Sequence, residues 1–228
     1  MQRYAIYFTP DPGSSLNAFG SGVIGYDANS SRRIPFLEHG SLPRLPWEDL
    51  TESARRYGFH ATLKAPFSLA AGTSRTDLLA AVRRLAAGLQ PVDAGILSLS
   101  CDDGFFALRP APECHPGLSR LAQTCVETLD AFRAPLSAAD RARRRPEALS
   151  ESQRNNLDRW GYPYVGDDFA FHMTLTGPIP GPLRETVRET LAKLYACSKT
   201  AVTIDALTVC AQPSAQERFS VLQRIPIG

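Results

Sequence analysis

One phrase occurs twice in this chain, and it restricts the fold more than any other feature. Residues 59–66, Phe-His-Ala-Thr-Leu-Lys-Ala-Pro, align with residues 171–178, Phe-His-Met-Thr-Leu-Thr-Gly-Pro, with Phe, His, Thr, Leu and Pro identical. Both copies alternate apolar and polar side chains, the pattern of a β-strand whose successive residues face opposite ways. Phe59, Ala61 and Leu63 then face a core, as do Phe171, Met173 and Leu175; His60, Thr62 and Lys64 line the other face of the first strand, and His172, Thr174 and Thr176 that of the second. The chain has four histidines (His39, His60, His115, His172) and 14 threonines in 228 residues. Chance produces two His-x-Thr pairs at odds of roughly 2%, before the shared Phe, Leu and Pro are counted. His39 and His115 lack such a setting and read as turn or surface residues. The bland alternative is an old duplication that keeps half-buried histidines for packing, but a purely structural strand has little use for His and Thr on one face twice.

The segments C-terminal to the two copies repeat as well. After the first comes a helix over 73–89, opened by a Ser or Thr cap and carrying Leu78, Leu79, Val82, Leu85 and Leu89 at helical spacing. Strand-like runs at 94–101 and 105–109 then form a hairpin across Asp102, Asp103 and Gly104, and a helix over 115–132 closes this half. After the second copy come a helix over 183–197 and two strand-like runs, 201–212 and 218–227, split by the turn Pro213 to Glu217. A first strand at 3–9 ends at Pro10-Asp11-Pro12-Gly13, and 47–56 reads as one short helix. The expected fold is α+β: a bilobal, duplicated unit, each lobe an antiparallel sheet with helices on its outer face, related by a pseudo-twofold axis, with the active groove between lobes. The expected organisation is an N-terminal lobe at 1–132, an Arg-rich connector at 133–165 and a C-terminal part at 166–228, one bilobal domain in all. The connector holds seven arginines against four acids in its first stretch, and reads first as a solvated charge run.

Composition removes several function classes. Twenty-five Lys and Arg against 23 Asp and Glu leave a net charge of +2, so no bulk preference for nucleic acid or an anionic membrane is implied. No apolar stretch approaches the length of a membrane span or a signal-peptide core. The five cysteines are odd in number and never spaced CxxC, which speaks against a disulfide framework or zinc site and for a reducing cytoplasm. GxSxG, GxGxxG and Walker A signatures are absent, and apart from Asp167 and Asp168 no carboxylates accompany the motifs to hold a metal. No cofactor and no metal are expected.

Two imidazoles and two hydroxyls facing one groove suit phosphoryl chemistry. One imidazole takes a proton from water while the other gives one to the departing alkoxide. Thr62, Thr174 and the cation at Lys64 can bind the non-bridging phosphate oxygens. At these residues the chain resembles the two-histidine (2H) phosphoesterase superfamily. With "RYAIYFTP", "YGFHATLKAPF", "FRAPLS", "RWGYPYV" and "FHMTLTGP" it resembles a branch of that superfamily associated with phosphonate-utilisation operons. The resemblance implies His60 and His172 as the acid/base pair and Thr62 and Thr174 as phosphate ligands. It further implies a small cyclic phosphodiester as substrate, 5-phosphoribose 1,2-cyclic phosphate in phosphonate catabolism. That substrate carries a second phosphate, for which Arg133 and the run Arg141 to Arg145 are candidates, and a sugar that Tyr7 and Tyr164 could contact. Two alternatives stand beside it: a 2′,3′-cyclic phosphodiesterase acting on RNA ends or nucleotides, and a non-catalytic module that binds phosphate esters or RNA.

Overall fold

The computed structural model describes residues 2–38, 45–102 and 104–228; His39 lies outside them. Strand β1 (Arg3–Phe8) ends at a turn in which the Asp11 carboxylate accepts the Gly13 N–H, and the Ser14 hydroxyl then caps helix α1 (Ser15–Ile24). A small hairpin, β2 (Tyr26–Asp27) with β3 (Arg32–Arg33), is followed by α2 (Trp47–Leu50) and α3 (Glu52–Arg55). These two four-residue helices, broken at Thr51, replace the single helix expected over 47–56. Then come β4 (Ala61–Phe67), α4 (Arg75–Ala87), β5 (Val92–Ile96), β6 (Ser98–Asp102), β7 (Phe105–Arg109) and α5 (His115–Thr128). Ser74 and Asp77 form a reciprocal capping box at the start of α4. Within 133–165 lie α6 (Ala138–Arg143) and α7 (Glu151–Trp160), and the chain finishes with β8 (Met173–Thr174), α8 (Arg184–Ala196), β9 (Ala201–Ile204), β10 (Ala206–Gln212) and β11 (Ser220–Pro226). No helix among the described residues is long and apolar enough to cross a membrane.

Seven strands form one antiparallel sheet in the order β11-β10-β1-β4-β8-β7-β6, and β5 pairs with β9 in a separate ribbon. The order reveals how the duplication is phased. One repeat runs β1-α1-β4-α4-β5-β6 and the other β7-α5-β8-α8-β9-β10, with β11 as a surplus edge strand. Equivalent strands meet each other, β4 with β8 and β5 with β9, as a local twofold axis requires. Each half-sheet is completed by the last strand of the other repeat, β10 beside β1 and β6 beside β7. The two half-sheets therefore join edge to edge at the repeated phrases. Sequence alone phases the repeat differently, because the tight β6–β7 turn makes two strands of different repeats look like one unit.

The helices bury one stripe each against one face of this sheet. Leu78, Ala81, Val82 and Ala86 of α4, Leu118, Leu121, Ala122 and Cys125 of α5, and Val187, Leu191 and Tyr195 of α8 join Ile6, Phe8, Leu63, Phe106, Leu108, Met173 and Leu175 in the main core. Each large apolar side chain there contributes about 1.5–3 kcal/mol of burial. On the opposite face, among the described residues, a small cluster of Ala5, Tyr7, Cys210 and Phe219 is packed, with Tyr57 and Val221 against it.

Candidate active site

The approach to β4 is set by two glycines. Gly58 has φ +78, and a Cβ there would sit 2.7 Å from that of Ala28, so the left-handed turn before His60 requires glycine. In α1, Gly20 lets the helix backbone close on Phe59, whose ring would lie 2.0 Å from any Cβ. These contacts fix the residue immediately before the first histidine.

β4 and β8 pair through Ala61 opposite Met173, both buried in the core. The antiparallel register carries His60 opposite Thr174 and Thr62 opposite His172 on the other face. Carried one residue to either side of the Ala61–Met173 pair, the register puts the two histidines diagonally across from each other, with the threonines at the other two positions. Both rings are oriented alike: His60 Nδ1 is 2.9 Å from the Gly58 carbonyl oxygen, and His172 Nδ1 is 2.7 Å from that of Ala170. A carbonyl can only accept, so each neutral ring carries its proton on Nδ1 and keeps an Nε2 lone pair for chemistry. Thr62 Oγ1 lies 3.2 Å from His60 Nε2.

The two settings differ. His60 is stacked on Tyr7 at 3.8 Å between ring centroids, with Tyr57 6.2 Å away, and burial drives its pKa down to about 4, with His172 adding to the fall. His172 stands 6.1 Å from the Phe105 ring; its pKa is lowered by burial first and by Arg109 as well, while Asp102 opposes the fall. Arg109 and Asp102 form an ion pair at 2.7 Å. Burial thus favours the neutral form of both rings.

Beside the β4–β8 pair a cavity of about 520 Å³ opens between Thr62 to Ser68 on one side and Gly166 to His172 on the other, with α5 and residues of the connector completing its wall; His60, Thr174 and Tyr7 are not among its lining residues. Thr62, Lys64, His172, Arg133 and Tyr164 line it. Lys64 is only 3% exposed: a register shift between Ile6 and Tyr7 sets it opposite core residue Ile6, and its ammonium donates to the Val126 carbonyl at 3.0 Å and to Asp130 at 3.2 Å. Thr176, its counterpart, is locked by accepting the Phe106 N–H and donating to the Gly177 carbonyl. Tyr7 lies beneath His60, 1% exposed, with its ring face spent on the imidazole. Tyr164 is 45% exposed and packs edge-on against Tyr162. Arg133 grips Asp130 through two nitrogens. Of the connector run, Arg141 pairs with Asp158 and Arg143 with Asp140, while Arg144 lies over the Tyr162 ring at 5.1 Å.

Arg3, Tyr57, Phe105, Arg109 and Tyr162 also line the cavity, and the sequence pattern does not single them out. Strand alternation could have found Arg3, which shares a face with Tyr7, and Arg109, which shares one with Phe105. Tyr57 and Tyr162 come from turns, where alternation gives no signal.

The family described as protein of unknown function DUF1045 matches residues 62–220. A relative from Janthinobacterium sp. (strain Marseille), named ribose 1,5-bisphosphate phosphokinase PhnN, is 36% identical over 236 residues, covering 100% of this chain and 51% of that protein. The chain thus spans about half the length of this curated relative. Among solved structures, a conserved protein of unknown function, ATU0111, from Agrobacterium tumefaciens str. C58 shares the fold at 10% identity and a TM-score of 0.50, over 98% of this chain and 85% of that one. E. coli LigT complexed with 3′-AMP aligns over 99% of this chain and 98% of its own, at 15% identity and a TM-score of 0.42.

Proposed function

The chain belongs to the DUF1045 family, and from the geometry of its repeated phrases we propose that it is a phosphodiesterase that opens a small cyclic phosphate ester by acid/base catalysis between His60 and His172. One observation carries this reading: β4 and β8 pair where the two phrases meet, and their imidazoles are oriented alike, each Nδ1 on the carbonyl oxygen two residues earlier. In-line displacement at phosphorus needs a base on one side and an acid on the other, and two imidazoles supply both without a metal.

The roles divide by basicity. His60, driven furthest down, stays neutral and takes a proton from the attacking water at Nε2. His172, less depressed, holds the proton when the pair carries one, and donates it from Nε2 to the departing ring oxygen. An anionic phosphate arriving between them raises both pKa values and charges His172 first. Thr62 and Thr174 donate to the non-bridging oxygens, where negative charge grows in the transition state. Lys64, behind this face, anchors Asp130 and Arg133 along the cavity wall.

The finer proposal concerns the substrate. The Janthinobacterium relative is named for ribose 1,5-bisphosphate, and this chain has no Walker A phosphate loop on which to place a kinase. Hydrolysis of 5-phosphoribose 1,2-cyclic phosphate makes that compound when water's oxygen bonds to phosphorus, the P–O2 bond breaks, and O2 leaves with the His172 proton. A cavity of about 520 Å³, partly walled by the connector, suits a ligand of this size. The test is to incubate the purified protein, with chelator present, with this ester and with 2′,3′-cyclic nucleotides, and to identify the products by phosphorus NMR. Ribose 1,5-bisphosphate is expected. Ribose 2,5-bisphosphate overturns the assignment of the leaving oxygen, loss of turnover in chelator overturns the metal-free mechanism, and preference for the nucleotides moves the substrate to RNA ends.

A further inference from the structure

Six cationic side chains line the cavity, and the carboxylates around it account for only four of them. Lys64 and Arg133 share Asp130, Arg109 holds Asp102 and Arg143 holds Asp140. Arg3 and Arg144 have no carboxylate partner among the described residues. Arg3 instead donates from Nε to the neutral Gln212 side chain at 2.8 Å and lies 5.5 Å from the Phe219 ring; Arg144 lies on Tyr162. Both are half-buried. A guanidinium removed from part of its water without a carboxylate in ion-pair contact is costly, and an anion bound to it offsets that cost.

These two charges belong to one region. Arg144 is the C-cap of α6, the helix that carries Asp140, and Arg3 lines the same cavity as both. Tyr162, which lies under Arg144, lines the cavity together with Tyr57, whose ring is 6.2 Å from that of His60. The two cations therefore face the cavity that Tyr57, Tyr162 and His172 also line, and come from β1 and the end of α6 rather than from the repeated phrases.

Resting on the phosphodiesterase reading, we infer that Arg144, braced by Tyr162, and Arg3 form a second anion subsite that binds a phosphate monoester remote from the ester being cleaved, so that the enzyme selects doubly phosphorylated substrates. Guanidinium groups suit this role because their donors match phosphate oxygens in pairs. The stack on Tyr162 holds the Arg144 plane without consuming its charge.

Two measurements test the subsite separately from the chemistry. In the first, kcat/KM is compared for 5-phosphoribose 1,2-cyclic phosphate and its analogue lacking the 5-phosphate. Wild-type protein is expected to prefer the phosphorylated ester, and Arg144→Ala to cut that preference about 10- to 100-fold, the range of a lost charge-assisted hydrogen bond; Arg144→Lys recovers part of it. An equal loss on both esters, or none, overturns the subsite. In the second, ribose 5-phosphate binding is measured by calorimetry on wild-type, Arg144→Ala and His172→Ala proteins. Binding that survives His172→Ala and weakens at least 10-fold in Arg144→Ala supports the subsite even if no cyclic ester is turned over, in which case only the catalytic reading fails. Binding unchanged by Arg144→Ala, with its melting temperature preserved, overturns the subsite whatever the activity.

Discussion

His60 sits against aromatic rings, and His172 sits beside an ion pair. The backbone treats the two alike: each Nδ1 meets the carbonyl oxygen two residues earlier, on strands that pair with each other. The surroundings do not. Tyr7 and Tyr57 strip water from His60, whereas His172 keeps the mixed field of Arg109 and Asp102. Duplication delivers symmetric geometry, and the residues packed around each copy then set unequal basicity, which an acid/base pair needs.

The rings themselves are the most direct place to challenge this contrast. His60→Ala and His172→Ala should each lower kcat by roughly 10²–10⁴-fold. The double variant should lose little more than the worse single, because the two act as a unit. Melting temperatures near wild type would separate lost chemistry from lost fold. If one single variant keeps full activity on the cyclic ester, the paired mechanism is wrong.

Next in size is the backbone that aims each ring. Gly58→Ala forces a side chain into a left-handed conformation and against Ala28, and should destabilise the protein by about 2 kcal/mol or more, from strain of about 1–2 kcal/mol plus the clash. The equivalent Ala170→Gly meets neither constraint and should cost about 1 kcal/mol or less. Chemical denaturation of both variants checks the contrast; equal losses would mean that the two approaches are strained alike.

The unequal basicity predicts the pH response. His60 has a folded pKa of about 4 against an unfolded value near 6.5. Between those values the unfolded chain binds more protons, so stability is highest above about pH 6.5 and falls as pH drops toward 4. The denaturation midpoint should decline over this window, and less steeply in His60→Phe. For the free enzyme, kcat/KM should be bell-shaped, with an acid limb near pH 4 from the base and an alkaline limb below about 6.5 from the acid, both depressed by burial. An alkaline limb that survives in His172→Ala would reassign the acid.

Much of this was legible in the phrases themselves. Alternation places Ala61 and Met173 inside and His60, Thr62, His172 and Thr174 outside, and the structure keeps that division. Three things were not legible, each for a physical reason. The phase of the repeat is hidden because β6 and β7, of different repeats, are joined by a tight hairpin. The stack of Tyr7 on His60 depends on a pairing across more than 50 residues that no local pattern encodes. The setting of Lys64 is invisible because alternation assumes an unbroken ladder, and the register shift opposite Ile6 breaks it.

The smallest effects belong to that last pair, where the phrases diverge. Thr176 accepts the buried Phe106 N–H, so Thr176→Val orphans a donor and should cost about 1–3 kcal/mol. Lys64 differs: burial lowers its pKa below the usual lysine value, so between the two values the unfolded chain binds more protons, and folding disfavours the charged form. Its acidic partner Asp130 keeps Arg133 if the ammonium is removed. Lys64→Met retains much of the stem's volume and, because Asp130 stays paired with Arg133, leaves no uncompensated charge, so it should change stability by less than about 1 kcal/mol. Urea midpoints read this difference, and turnover reads its meaning. A Lys64→Met protein of normal stability whose kcat/KM falls tenfold or more would show that the ammonium turns from Asp130 to the substrate's phosphate. Unchanged kcat/KM would leave it, like Thr176, a residue that holds its strand in place, with the difference between the phrases confined to the surroundings of the two histidines.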